Sequence, residues 1–238
     1  MIRTLWVGIV AVGATLVCAT AVIVLTLVAR DSRLVEAFIR LWARMIVRAA
    51  GIRIAIENGE VLAPDQRYIL VANHHSYFDI PCLFSVVPQP IRFMAKESLF
   101  RIPLFGWSLR SAGFIPIDRK NRKTAVRSFE MAGERIRRGN TIVIFPEEGR
   151  SREWKMRPFQ RGAFLLAIKS QLPIVPLAID GTYQVMPAAR LRVKPGPVTI
   201  RFGTPIETSG ISIRSKEELM STTRRVIESL LYGDEIPQ

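Results

Sequence analysis

The sequence predicts an α/β fold: a mixed, largely parallel sheet flanked by helices, preceded by an N-terminal membrane helix and an interfacial helix. Three observations predict it. Beyond residue 50, seven short β-like runs alternate with helical periods, the pattern of strands joined by crossover helices. Residues 4–29 hold no charge over 26 positions, enough to cross about 30 Å of hydrocarbon at about 1.5 Å per residue. A length of 238 residues suits one sizeable domain plus an anchor better than two independent cores. The expected division is 1–50 for the membrane-anchoring helices and 51–238 for the α/β domain.

The first element, TLWVGIVAVGATLVCATAVIVLTLVA, is too long for a signal-peptide core and leads straight into another apolar element with no cleavage site between them. That next element, LVEAFIRLWARMIVRAA, spaces Glu36, Arg40, Arg44 and Arg48 four residues apart, a narrow polar stripe on an apolar helix. The stripe reads as interfacial, although a helix packed on the domain shows the same period. Arg3 alone precedes the membrane segment, whereas Arg30, Arg33, Arg40, Arg44 and Arg48 follow it. The positive-inside bias therefore puts the domain on the cytoplasmic face.

The strands expected are IRIAIEN, YILVAN, IRFMAK, GFIPIDR, TIVIFPE, PIVPLAID and VTIRFG. The helices are FDIPCLFSVV, LFGWSLRSA, TAVRSFEMAGERIRRG, FQRGAFLLAIKSQ and SKEELMSTTRRVIESLL. No internal repeat and no glycine-rich phosphate loop interrupts them.

The formal charge is +14, so the surface must meet something anionic: nucleic acid, phospholipid headgroups or a phosphorylated substrate. Residues 92–161 hold 17 Lys+Arg and 7 Asp+Glu, hence +10 of that total. Within this third, Arg119 and Arg150 punctuate strand ends, where α/β sheets place ligands. The basic residues are not interleaved with aromatics and the chain begins with a membrane segment, so no nucleic-acid partner is expected. Two cysteines, Cys18 and Cys82, make neither a disulfide framework nor a thiolate metal site.

The stretch VANHHSYFDIP contains both histidines of the chain. One reading is structural: Ser76 caps a helix and Asp79 returns a capping-box bond. The other is catalytic: a neutral imidazole is the general base and Asp79 accepts its other N–H. The two are compatible, and spacing leaves His74 and His75 both open. Paired histidines without a third ligand at metal spacing predict no metal.

Four ordered blocks add to this. NHHSYFD resembles the N-H-x-S-x-x-D signature of the glycerolipid acyltransferases, the lysophosphatidate acyltransferases in particular. GFIPIDR, FPEEGRS and IVPLAI resemble that family's second, third and fourth blocks, with further similarity in AKESLF and FQRGAF. The resemblance covers about residues 65–182. It implies a fatty acyl group moved from acyl-CoA or acyl-carrier protein to the sn-2 hydroxyl of a lysophospholipid, without a covalent intermediate or a cofactor. It also implies His74 as base with Asp79 behind it, and Arg119, Glu147 and Arg150 on the acceptor. Lys96, in the same basic third, joins the expected acceptor set, and the charge with the N-terminal segment points to anionic membrane lipids as neighbours. Other readings are a different acceptor, such as another lysolipid or an acylated amino acid, and a non-enzymatic protein binding anionic lipid. FPEEGRS departs from the family's usual Phe-Pro-Glu-Gly-Thr-Arg-Ser at Glu148 and Gly149, which is expected to move the flexible position by one and bears on the acceptor's headgroup.

Overall fold

The computed structural model describes residues 1–29, 33–118 and 122–233, without the side chains of 122–126. Arg119 lies outside the described residues. Seven strands form one sheet: β1 (Ile52–Glu57), β2 (Ile69–Ala72), β3 (Ile91–Lys96), β4 (Ile115–Ile117), β5 (Thr141–Ile144), β6 (Ile174–Asp180) and β7 (Gly196–Phe202), in the order β1-β7-β6-β2-β5-β3-β4. All pairings are parallel except β6 against β7. The connection from β6 to β7 contains a single helical turn, α7 (Thr182–Val185), rather than a crossover helix, and the chain returns antiparallel. Each expected strand is present.

β2 and β5 at the centre are buried along their whole length, as continuous Ile, Leu and Val runs require when both faces are covered. Alternation sends Leu70 and Ala72 to one core and Ile69 and Val71 to the other. The second core lies under α5 (Arg122–Arg137), α6 (Gly162–Ser170) and α8 (Lys216–Tyr232). The first lies under α1 (Ile2–Val28), α2 (Arg33–Ala50), α3 (Asp79–Val86) and α4 (Phe105–Ser111).

The N-terminal helices are part of that first core. Val22 of α1 and Val35 and Ile46 of α2 share one apolar cluster with Leu70, Phe84 and Val143. The start of α1 is tied down twice, by Arg3 Nη1 donating to Ala50 O at 3.2 Å and by Val193 N–H donating to Thr4 Oγ1 at 3.0 Å. Its other face is bare: Leu5, Ile9, Val12, Val17 and Leu27 are each more than half exposed. It is also the one described helix long and apolar enough to cross a membrane.

The polar stripe of α2 divides. Arg44 and Arg48 are exposed, but Glu36 pairs with Arg92 and Arg40 turns into the domain. The Arg40 guanidinium donates to the carbonyls of Val87 (2.6 Å), Pro88 (2.7 Å) and Gln89 (3.1 Å), the orphan acceptors just past the end of α3. Half of the stripe that looks interfacial in sequence is thus a docking contact.

The turn after β5 also differs from expectation. Glu148 has φ of 55°, in the left-handed region, and Gly149 is not among the positive-φ residues. The left-handed position therefore stays at 148 and is not displaced by one. A Cβ at 149 would sit 2.6 Å from Nη1 of the exposed Arg157, a contact that the flexible guanidinium can move away from.

Two outcomes are expected. Arg40→Met should lower stability by about 2–4 kcal/mol, the loss of several charge-assisted bonds with carbonyls left bare; an unchanged denaturation midpoint in detergent would show that α2 docks without them. Glu148→Gly should raise stability by about 0.5–1 kcal/mol, the left-handed penalty less the extra entropy glycine loses, read as a higher Tm.

Candidate active site

The carboxyl ends of β2 and β5 deliver two loops to one place. Asn73, just past β2, is fully buried and grips β6 in both directions: its Nδ2 donates to Ile179 O at 2.9 Å and its Oδ1 accepts Ile179 N–H at 2.7 Å. This aims the next residue, His74, out of the sheet edge. His74 Nδ1 lies 2.7 Å from Asp79 Oδ2, with the histidine side chain 15% exposed and the aspartate fully buried. The imidazole stacks on Phe145 at 4.0 Å between ring centres. With Nδ1–H donated to Asp79, Nε2 is the open nitrogen.

Asp79 Oδ2 also accepts the backbone N–H groups of His75 and Ser76, both at 2.9 Å, and Ser76 Oγ accepts Phe78 N–H at 3.3 Å. The expected capping box forms only in part: Asp79 returns its bond to Ser76 N–H, but α3 starts at Asp79 with Phe78 as its N-cap and no side-chain cap, and Ser76 Oγ donates to Met186 O at 2.7 Å. The same carboxylate oxygen serves the histidine, and the N–H groups of His75, Ser76 and Phe78 are occupied.

His75 is placed differently. It is fully buried between Trp154 and Tyr183, with Nδ1 3.1 Å from Asn73 Nδ2, and burial pushes its pKa below the ordinary value. Geometry thus separates two histidines that spacing leaves equivalent. Cys82 is buried in α3 and burial pushes its thiol up, away from nucleophilic use.

Glu147, expected on the acceptor, is 2% exposed and both its oxygens are taken. Oε1 accepts His74 N–H and Oε2 accepts Arg157 N–H, each at 2.7 Å. Ser151 N–H donates to His74 O at 2.8 Å, closing a second tie between the loops. Burial pushes the Glu147 carboxyl from 4.5 up to about 7, opposed by those two N–H bonds. A carboxyl raised in the fold holds its proton more tightly there than in the unfolded chain, so its ionisation lowers stability as pH rises from 4.5 to about 7, and the loss is complete above that.

Arg150 lies on Tyr77, its Cζ 3.3 Å from the ring centre, with Nη1 buried and unpartnered. Tyr77 in turn lines an apolar cavity of about 350 Å³. Its walls come from α1 (Cys18, Val22), α2 (Trp42) and α3 (Phe84), among others. Sequence reasoning missed this cavity, because its lining is scattered from Thr15 to Phe114. It also missed the Phe145 stack, although FPE was in view as the third block. Lys96 is exposed at the carboxyl end of β3, on the same sheet edge. Among the described residues no three His, Cys, Asp or Glu side chains gather to hold a metal.

Comparison with known proteins adds an independent measure. A family profile described as Acyltransferase matches residues 53–180. A 1-acyl-sn-glycerol-3-phosphate acyltransferase of Cocos nucifera is 32% identical over 196 residues, 82% of this chain and 61% of that protein. One of Chlamydomonas reinhardtii is 32% identical over 169 residues, 71% of this chain and 49% of that protein. The chain thus spans about half to three-fifths of the length of these curated relatives. The crystal structure of the 1-acyl-sn-glycerophosphate acyltransferase from Thermotoga maritima matches with a TM-score of 0.80 at 27% identity, covering 95% of this chain and 92% of that one. The matched span encloses His74, Asp79 and Glu147 together with the strands that present them, and on that ground the chain belongs to the acyltransferase family.

Proposed function

We propose that this protein transfers a fatty acyl group from an acyl thioester to the sn-2 hydroxyl of lysophosphatidate, giving phosphatidate. The observation that carries the proposal is an open histidine nitrogen backed by a buried carboxylate, three residues before Tyr77, which lines an apolar cavity and carries the Arg150 guanidinium with its unpartnered N–H on its ring. The cavity would take the acyl chain and Arg150 the acceptor's phosphate. His74 Nε2 takes the proton of the sn-2 hydroxyl and the oxygen attacks the thioester carbonyl carbon. The tetrahedral adduct then collapses, the C–S bond breaks, and the departing sulfur receives the proton from the imidazolium. Asp79 holds the ring and stabilises its charged form. No cofactor is required beyond the donor, acyl-CoA or acyl-carrier protein.

Glu147 serves this reaction as a positioning residue. It touches no open surface, but it sets the backbone of His74 against the loop that presents Arg150. Lys96, at the carboxyl end of β3, and Arg119 complete the proposed acceptor set.

The bare face of α1 supports a membrane placement. Bonded to the domain at its start and packed on α2 and α4 along its length, α1 lies beside the domain. The proposed arrangement is entry into one leaflet, with the domain on the cytoplasmic face. Glu148 favours a second reading of the acceptor, a lysolipid whose headgroup carries less negative charge, since its carboxylate precedes Arg150 by two residues.

Purified protein offered a labelled acyl donor and a panel of lysolipids tests the function, and absence of any acylated product would refute it. Within that assay His74→Ala should lower kcat by about 10²–10⁴-fold with the fold intact. His75→Ala should act through stability, emptying a buried site beside Trp154; equal catalytic loss in two equally stable variants would contradict this division. Arg150→Ala should raise the acceptor KM about ten- to a hundredfold and leave the donor KM unchanged.

Glu147→Gln should lower kcat more than it raises either KM. It should also make the acid limb of the pH profile shallower, because protonation below about pH 7 loosens the His74 clamp in the native protein. A profile as steep as that of the native protein would remove Glu147 from the positioning role.

A further inference from the structure

A second cavity, basic and of about 360 Å³, lies at the opposite ends of the same strands. Arg92 lines it from the second residue of β3, and Asn140 immediately precedes β5, whereas His74 and Glu147 follow β2 and β5. The four residues of β5 alone, at about 3.3 Å each, separate the two sites by more than about 13 Å. Arg110 enters from the last turn of α4 and Arg135 and Arg138 from the end of α5, so four guanidinium groups share the cavity with a single lining carboxylate, Glu134. Glu134 pairs with Arg138 at 2.6 Å. Arg92 pairs with Glu36 of α2, yet its Nε is buried without a partner.

The apolar face of α1 ends at this cavity. Thr26 and Leu27 form part of its wall, and Leu27 and Val28 are 82% and 87% exposed. Ala112 lines both this cavity and the apolar one, so the two stand back to back. Forked guanidinium donors suit phosphate oxygens. A free phosphate would use only the donors; an amphiphile would also use the apolar helix face beside them.

We propose that this cavity is a second anion site, holding the phosphate-ester headgroup of an anionic diacyl phospholipid whose chains lie along the outer face of α1. The phosphate chemistry stands apart from the acyl-transfer reading; the choice of lipid as occupant rests on the membrane placement of α1.

The test is calorimetric titration of the full-length protein in nonionic detergent with dihexanoyl phosphatidylglycerol, a diester that is not the proposed product. Saturable binding is expected. It should weaken about ten- to a hundredfold in Arg110→Ala/Arg138→Ala, two exposed side chains whose loss spares the fold as checked by circular dichroism. It should be unchanged in Arg150→Ala, which separates this site from the proposed acceptor site. Dihexanoyl phosphatidylcholine, with the same chains, should bind at least about tenfold more weakly because its headgroup has no net charge. Equal affinity for the two lipids, or native affinity in the double variant, would overturn the anion site. Inorganic phosphate binding as tightly as phosphatidylglycerol would overturn the lipid as its occupant. Binding is read without turnover, so a protein inactive in acyl transfer still gives a decisive answer.

Discussion

Asp79 Oδ2 accepts from the His74 ring and from the backbone N–H groups of His75 and Ser76. That convergence on one buried oxygen makes the start of α3 and the orientation of the imidazole a single event. The loop cannot relax without releasing the ring, and a ring that turned would leave the buried Asp79 carboxylate, whose Oδ1 has no partner, with only its two backbone donors. Asn73 fastens the same loop to β6 and Glu147 fastens it to the turn after β5. Three neighbouring strands are thereby locked to one histidine, and its open nitrogen is held at the carboxyl edge of the sheet.

The Glu147 clamp extends further than the loop itself. Arg157, which donates to Glu147 Oε2, gives its carbonyl to Arg224 of α8 at 2.8 Å, and the neighbouring Met156 N–H donates to Tyr232 OH at 3.1 Å. The C-terminal helix therefore supports the loop that supports His74. Such a chain of bonds makes the buried Glu147 carboxylate a structural link between the His74 loop and α8.

The N-terminal helices have two roles that are physically inseparable. One side of α1 completes the wall of the apolar cavity, and the other is bare. Under the proposed membrane placement, an acyl chain entering that cavity would pass between α1 and the sheet, with no excursion through water. Arg40 and Glu36 hold α2, and α1 with it, against the domain from the far side.

The seven strands, their alternation with helices and the bare apolar helix are all legible in the sequence, because each is a local pattern with its own period or length. That a histidine pairs with Asp79 is legible too, since four or five residues across a helix start cannot carry two side chains far apart. Which histidine faces the substrate is not, for Trp154 and Tyr183, which bury His75, come from segments roughly eighty to one hundred residues away. The same holds for Glu147, whose two partners lie 73 and 10 residues off, and for the inward half of the α2 stripe, whose carbonyl acceptors follow α3. Residue type and spacing carry the inventory of chemistry. Which groups meet bulk water, lipid or one another is set by packing between distant segments, and a one-dimensional period contains no record of it.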